Sequence, residues 1–221
     1  MKKNLLFWQL LTLAVVAAPG LYQLYAGPAL PASIPTHFGL DGRANGYTAR
    51  GHLWLLTVAL PVGAALLLAV LPRLDPKRRL DAGNANFQKL RLALVGLLSG
   101  LACLCIYAAL HPGALPGRGL AVLLGLFFAL LGNYLTTVQP NYFVGIRTPW
   151  TLESPAVWAR THRVGGIVFC VGGLLLAALA AVLPLAWVRP ALLAMVLGTV
   201  AFAYAYSYVI FRRYEVAGKA S

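Results

Sequence analysis

Six apolar runs govern what this chain can fold into. Residues 5–25, 53–71, 90–110, 120–137, 167–186 and 191–211 contain no Asp or Glu, and their one basic residue, Arg91, lies near the start of the third. A helix needs about 20 mostly apolar residues to cross the ~30 Å hydrocarbon core of a bilayer. Only structures that satisfy their own backbone hydrogen bonds persist there. The runs therefore predict an all-α, polytopic integral membrane protein with six transmembrane helices. Charge content agrees. Only 10% of the residues are charged and 60% are hydrophobic, against about 25% charged in an ordinary soluble domain. That is too little charge to cover a soluble fold of this size.

Lys and Arg accumulate in cytoplasmic loops. With the N-terminus inside, 14 of the 18 Lys and Arg residues fall on the cytoplasmic side, and Arg43, Arg50, Arg118 and Arg189 fall outside. An even number of spans then places both termini in the cytoplasm, and the membrane expected is the bacterial cytoplasmic (inner) membrane. The formal net charge of +13 is accounted for by this placement and by anionic lipid beside the Lys77-Arg78-Arg79 run, so no direct nucleic-acid partner is expected. The opening Met1-Lys2-Lys3-Asn4 and the following apolar residues resemble a signal peptide, but the run continues through Leu21 and Leu24 to Tyr25. It reads as an uncleaved first helix. Pro72, Pro112, Pro140 and Pro190 mark run ends, while Pro19 and Pro61 lie inside runs and predict kinks. The short link at 188–190 predicts that the last two helices are antiparallel neighbours. Cys103, Cys105 and Cys170 lie within apolar runs and read as small buried residues. No cofactor is expected.

Two segments are long and not uniformly apolar, and such loops tend to carry function. They divide the chain into a first helix with an outer loop (1–52), helices two to four (53–131), and an inner segment with helices five and six (132–221). In the outer loop, Pro31 and Pro35 enforce extended backbone, and Asp41-Gly42 and Asn45-Gly46 are turn dipeptides. Ile34, Pro35, His37, Phe38, Gly42 and Tyr47 form the candidate ligand-binding set, on a small lid over the helix ends. His37, Asp41, His52 and His111 lie on this side without the compact spacing of a metal site, and no metal is expected.

The inner segment contains Asn133, Asn141, Gly145, Arg147, Trp150, Trp158, His162 and Arg163. Ser154-Pro155 is an N-cap followed by proline at the first helical position, so a helix should start there and run into the fifth span. Trp158 and His162, four residues apart, share a face of it. Asn133, Asn141, Arg147 and His162 are expected to meet in one polar cluster, because buried amides and guanidinium groups need partners.

These two segments carry a resemblance. Pro31, Ile34, Pro35, His37, Phe38 and Gly42 match the Pro-x-x-Ile-Pro-x-His-Phe-x-x-x-Gly pattern of a short domain of unknown function. Gly132, Asn133, Tyr134, Asn141, the run 145–152, Val157, Trp158, Thr161, His162 and Arg163 match a second signature. The chain resembles the SdpI-type bacterial immunity family over essentially its whole length. It departs at Pro155-Ala156, where the family more often has polar or acidic residues. The resemblance implies a receptor-like immunity protein giving resistance to a secreted peptide toxin. It also implies signal transduction, with a toxin peptide outside and a sequestered transcriptional repressor inside as partners, besides the lipid bilayer.

Two other classes stand beside it. A transporter or exporter of a hydrophobic peptide fits the spans, although none carries the midplane ionisable group of ion-coupled transport. A small membrane enzyme at the cytoplasmic face would rest on Glu153 and His162 as acid and base with Arg147 or Arg163 on a phosphate. The expectation is that the chain is not an enzyme.

Overall fold

A computed structural model describes residues 2–39, 43–76, 80–114 and 116–219. The helices are α1 (Lys2–Ala26), α2 (Leu60–Leu74), α3 (Ala85–Leu110), α4 (Gly117–Leu135), the short α5 (Pro149–Glu153), α6 (Pro155–Val182) and α7 (Leu185–Lys219), with strands β1 (Ser33–Phe38) and β2 (Ala44–Ala49) between α1 and α2. Among the described residues, six helical segments are long and apolar enough to cross a membrane, as the apolar runs predict. They pack as a row: α1 and α2 lie on α3, α3 on α4, and α4 on α6 and α7. Leu13, Leu24, Leu197 and Val200 of the outer helices α1 and α7 are exposed, as lipid-facing side chains are. The hairpin, residues 111–114 and 116, and the turn at 183–184 gather at one end of the bundle. The segment 136–154 gathers at the other, with residues 80–84.

The tightest junction is the antiparallel crossing of α4 and α6. Gly125 and Gly132 on one helix meet Gly173 and Gly166 on the other. A Cβ added to Gly166 would lie 2.7 Å from the Gly132 carbonyl oxygen, and one added to Gly125 would lie 2.7 Å from that of Gly173. Seven residues are close to two helical turns, so each pair forms one stripe. The backbones approach closely because nothing projects between them, the usual means of packing helices where lipid removes the hydrophobic drive.

Arg118, in the first turn of α4, holds the end of α6. Its Nη1 donates to the carbonyl oxygens of Ala180 (2.5 Å) and Ala181 (2.9 Å), and its Nη2 to that of Leu183 (2.8 Å). The last carbonyls of a helix have no partner within the helix, and here one side chain supplies several. Arg118→Ala should therefore lower thermal stability in detergent by about 1–3 kcal/mol, whereas Arg213→Ala at the opposite end should change it little.

Three local expectations need correction. The chain turns between α6 and α7 at 183–184, not at 188–190, and Pro190 lies inside α7. The proline that marks the end of α6 is Pro184, which holds Leu183 in extended backbone (φ −69°, ψ 150°), and Arg118 caps the carbonyls left open there. Pro72 likewise lies inside α2. Pro61 is preceded by a π-helical turn, Leu55–Ala59, where the ladder widens ahead of the missing N–H, while α1 continues helical through Pro19. The outer loop is a two-stranded antiparallel hairpin, an exception to the all-α architecture. Asn45-Gly46 lies within β2 rather than at a turn, with Gly46 opposite His37. A Cβ on Gly46 would sit 2.8 Å from His37 Cβ, so glycine is needed there for contact. Gly42, Asp41 and the Lys77-Arg78-Arg79 run lie outside the described residues.

Candidate functional site

β2 keeps the two-residue period of a strand with one face covered, while β1 breaks it at Ile34-Pro35 and at the irregular register around His37. Ile34 is fully buried among Ala26, Leu30, Leu53, Ile106 and Ala109. Pro35 is also buried, and Thr36 and Phe38 are half-buried. The Thr36 and Thr48 hydroxyls are hydrogen-bonded across the strands at 3.2 Å. Arg50 closes the base, its backbone N–H donating to Ala32 O and its Nη1 to Leu30 O. The opposite face presents His37, Asn45 and Tyr47. His37 Nδ1–H donates to Asn45 Oδ1 at 2.5 Å, and Tyr47 is 60% exposed.

The candidate ligand-binding set therefore divides. His37 and Tyr47 form an exposed surface, Phe38 points beneath the hairpin, and Ile34 and Pro35 anchor it. Ile34 and Pro35 are both buried beneath the exposed face. His37 is engaged with Asn45, while His111 donates to Tyr107 O and stacks on its ring. Among the described residues, no group of three His, Cys, Asp or Glu could hold a metal ion.

At the other end, residues 136–154 are pinned to three helices. Asn141 is 3% exposed. Its Oδ1 accepts from the N–H groups of Phe143 and Val144, and its Nδ2 donates to the carbonyls of Gln139 and Val144. One amide thus satisfies four backbone groups of its turn. Gly145 follows with φ +144°, and a Cβ there would lie 2.6 Å from His162 Nε2 and 2.8 Å from Trp158 Cη2. The backbone passes so close that Ile146 N–H donates to His162 Nε2 at 2.7 Å. Since Nε2 accepts, Nδ1 carries the proton and donates to Trp158 O at 2.8 Å. The imidazole stacks on the Trp158 ring with centroids 4.0 Å apart, and Trp158 Nε1 donates to Val138 O at 3.0 Å.

The segment continues onto α7. Thr148 caps α5 in a capping box with Thr151 and is hydrogen-bonded to Ser207 Oγ at 3.0 Å. Trp150 lies against Tyr204 and Tyr208. Asn141, Arg147 and His162 thus shape one loop, each through backbone groups and not through one another. Asn133 does not join them. It is exposed and accepts from Lys89 Nζ at 3.3 Å, because it lies on the face of α4 turned towards α3. Arg147 is exposed and, among the described residues, makes one bond, Nη1 to Tyr142 O at 2.7 Å. A single bond does not need the planar fork of a guanidinium, so Arg147→Lys is expected to be mild. That variant should stay within about 1 kcal/mol of the parent in thermal unfolding. Arg163 is exposed.

Thr148, Thr151 and Ser207 escaped the reading of the sequence. Thr148-Pro149 is the same N-cap and N1 pair as Ser154-Pro155 and was equally readable. The glycine spacing and the Arg118 cap were also missed.

Comparison with known proteins falls on these two ends. Residues 137–207 match the SdpI/YfhL protein family, taking in the pinned segment, α5, α6 and most of α7. Residues 14–60 match a domain of unknown function, DUF1648, taking in the end of α1 and the hairpin. Over 55 residues the chain is 36% identical to the immunity protein SdpI of Bacillus subtilis (strain 168). That stretch is 25% of this chain and spans 27% of the relative's length. No solved structure matches the chain. Both matches fall in order on the elements that carry the two signatures, so at these two ends the chain is similar to the SdpI-type family, and its six long apolar helices make it a multi-pass membrane protein.

Proposed function

We propose that the protein is a receptor-like immunity protein of the bacterial cytoplasmic membrane, giving resistance to a secreted peptide toxin. In this reading the hairpin end faces outward and both termini are cytoplasmic. The observation that carries it is the hairpin, matched to a family domain, tied down at its base and presenting His37, Asn45 and Tyr47 on one exposed face. A rigid surface loses little entropy on binding, and a toxin that attacks the membrane arrives on this side. The 36% identity to an immunity protein supports the same reading. The basic-residue bias supports the orientation. A periplasm-active reporter fused after Ser221 should be silent and one inserted near Asn45 active; the reverse pattern overturns the orientation.

The test of function is protection. A toxin-sensitive host expressing the chain should survive, and His37→Ala and Tyr47→Ala should weaken survival about tenfold at equal membrane levels, the loss of one or two good contacts. If the wild type protects against none of a panel of secreted peptides, the immunity reading fails. At the other end, Tyr142, Phe143 and Leu152 are exposed on the pinned segment beside Arg147, a surface suited to sequestering a cytoplasmic repressor. A labelled repressor should move to the membrane only when toxin is added. An enzyme built on His162 is disfavoured, because both ring nitrogens are held by backbone groups.

A further inference from the structure

Beneath the hairpin a cavity of about 300 Å³ opens between helix ends. Thr36 and Phe38 of β1 roof it, Leu98 and Leu101 of α3 and Leu120 of α4 wall it, and Arg189 and Leu192 of α7 close one side. We infer that this cavity holds the single hydrocarbon chain of an anionic amphiphile from the hairpin-side leaflet, with the head group on Arg189.

Three observations carry this. First, the lining is almost wholly apolar. Its polar side chains are the Thr36 hydroxyl, the weakly bonding Cys105 thiol and the Arg189 guanidinium. A peptide segment entering here would leave its own N–H and C=O groups unpaired, at several kcal/mol each in an apolar setting. A hydrocarbon chain has none to satisfy, so the lining selects lipid over peptide. Second, Arg189 is exposed, and among the described residues nothing pairs with its guanidinium. The other cations at this end differ: Arg50 is bonded to Leu30 O and Arg118 to the end of α6, and Arg43 has an interaction of its own. Third, Arg189 lies near the start of α7 and lines the cavity, so its charge stands beside an otherwise apolar space. A carboxylate or phosphate head there keeps its hydration on one side while its chain descends between α3, α4 and α7.

The test uses dodecanoate carrying a photoactivatable diazirine, added to the purified protein in phosphatidylcholine nanodiscs. Label should concentrate on peptides containing Leu98, Leu101, Leu120 or Leu192. Unlabelled dodecanoate should displace it, whereas dodecyltrimethylammonium, of equal chain length and opposite charge, should not. Arg189→Gln should reduce cavity labelling about tenfold, the loss of one charge-assisted contact. Leu101→Trp, which fills the space, should abolish it, and Arg213→Gln at the far end should leave it unchanged. Thermal melts must show each variant folded; should Leu101→Trp not fold, the Arg189→Gln and competition results decide. Label spread evenly along α1 and α7, or equal competition by the cationic amphiphile, overturns the proposal. So does native mass spectrometry that finds a peptide, and no anionic amphiphile, bound to the protein extracted from its membrane. None of these readouts depends on toxin protection, so this inference and the immunity reading fail separately.

Discussion

Gly132→Val should leave little folded protein. A Cβ at this position would lie 2.5 Å from the carbonyl oxygen of Gly166 and closer still to the backbone N of Cys170. Backbone cannot rotate aside as a side chain can, so α4 and α6 must separate. Separation also parts Gly125 from Gly173, because both pairs lie on the same stripe. Ordinary overpacking costs about 1–3 kcal/mol, and this substitution prises apart a whole crossing in a protein whose total stability is of the order of 5–15 kcal/mol. Gly166→Val should do the same from the other side, since its Cβ would lie 2.8 Å from Thr136 N as well. Gly198→Val and Gly63→Val are the controls, because an added Cβ there meets nothing within 4 Å. The measurement is the yield of monodisperse protein in detergent, followed by thermal unfolding by circular dichroism. Near-equal yields of Gly132→Val and Gly198→Val would mean that the two helices do not cross this closely.

Why some of this was legible from residues alone is a matter of what lipid forbids. Charge is excluded from a bilayer core over about 20 residues at a time, so the six spans are written in bulk composition. The start of α6 was equally readable, because Ser154-Pro155 satisfies helix-end donors by a local rule. What failed was whatever depended on partners distant in sequence. Gly125 and Gly132 are unremarkable until Gly166 and Gly173 face them. Arg118 counted only as a marker of membrane side, although its length lets it reach the last carbonyls of α6. Asn45-Gly46 has the composition of a turn, yet Gly46 serves the close passage of β2 beside His37. Asn133 was assigned to the cluster on polarity alone, and its place on α4 turns it to Lys89. Trp158 and His162 were placed on one face by their spacing, but their stacking and the loop they support required the fold.

Trp158→Ala should be the most damaging single change in the segment 136–163. Trp158 is 1% exposed and packs with Leu80, Phe87, Leu90, Tyr134, Leu135 and Val138. Removing a buried aromatic side chain costs about 3–5 kcal/mol. The indole also gives its N–H to Val138 O and supports the ring of His162. With the support gone, His162 Nε2 is no longer held against Ile146 N–H, and the turn around Gly145 loses its fixed contact with α6. The effect should be local as well as global: hydrogen exchange at the Ile146 amide should speed up more than at amides in the middle of α3. Trp158→Phe separates the contributions. It keeps most of the ring packing and leaves Val138 O without its donor, a loss of about 1–3 kcal/mol. His162→Ala should free the Ile146 amide with less loss of packing, so its exchange should rise while the melting temperature falls less than for Trp158→Ala. Trp150→Ala serves as the comparison, since Trp150 is half-buried and its ring contacts are to Tyr204 and Tyr208. If Trp150→Ala and Trp158→Ala destabilise equally, or if exchange at Ile146 is unchanged in His162→Ala, the pinning of this segment does not run through the Trp158–His162 stack.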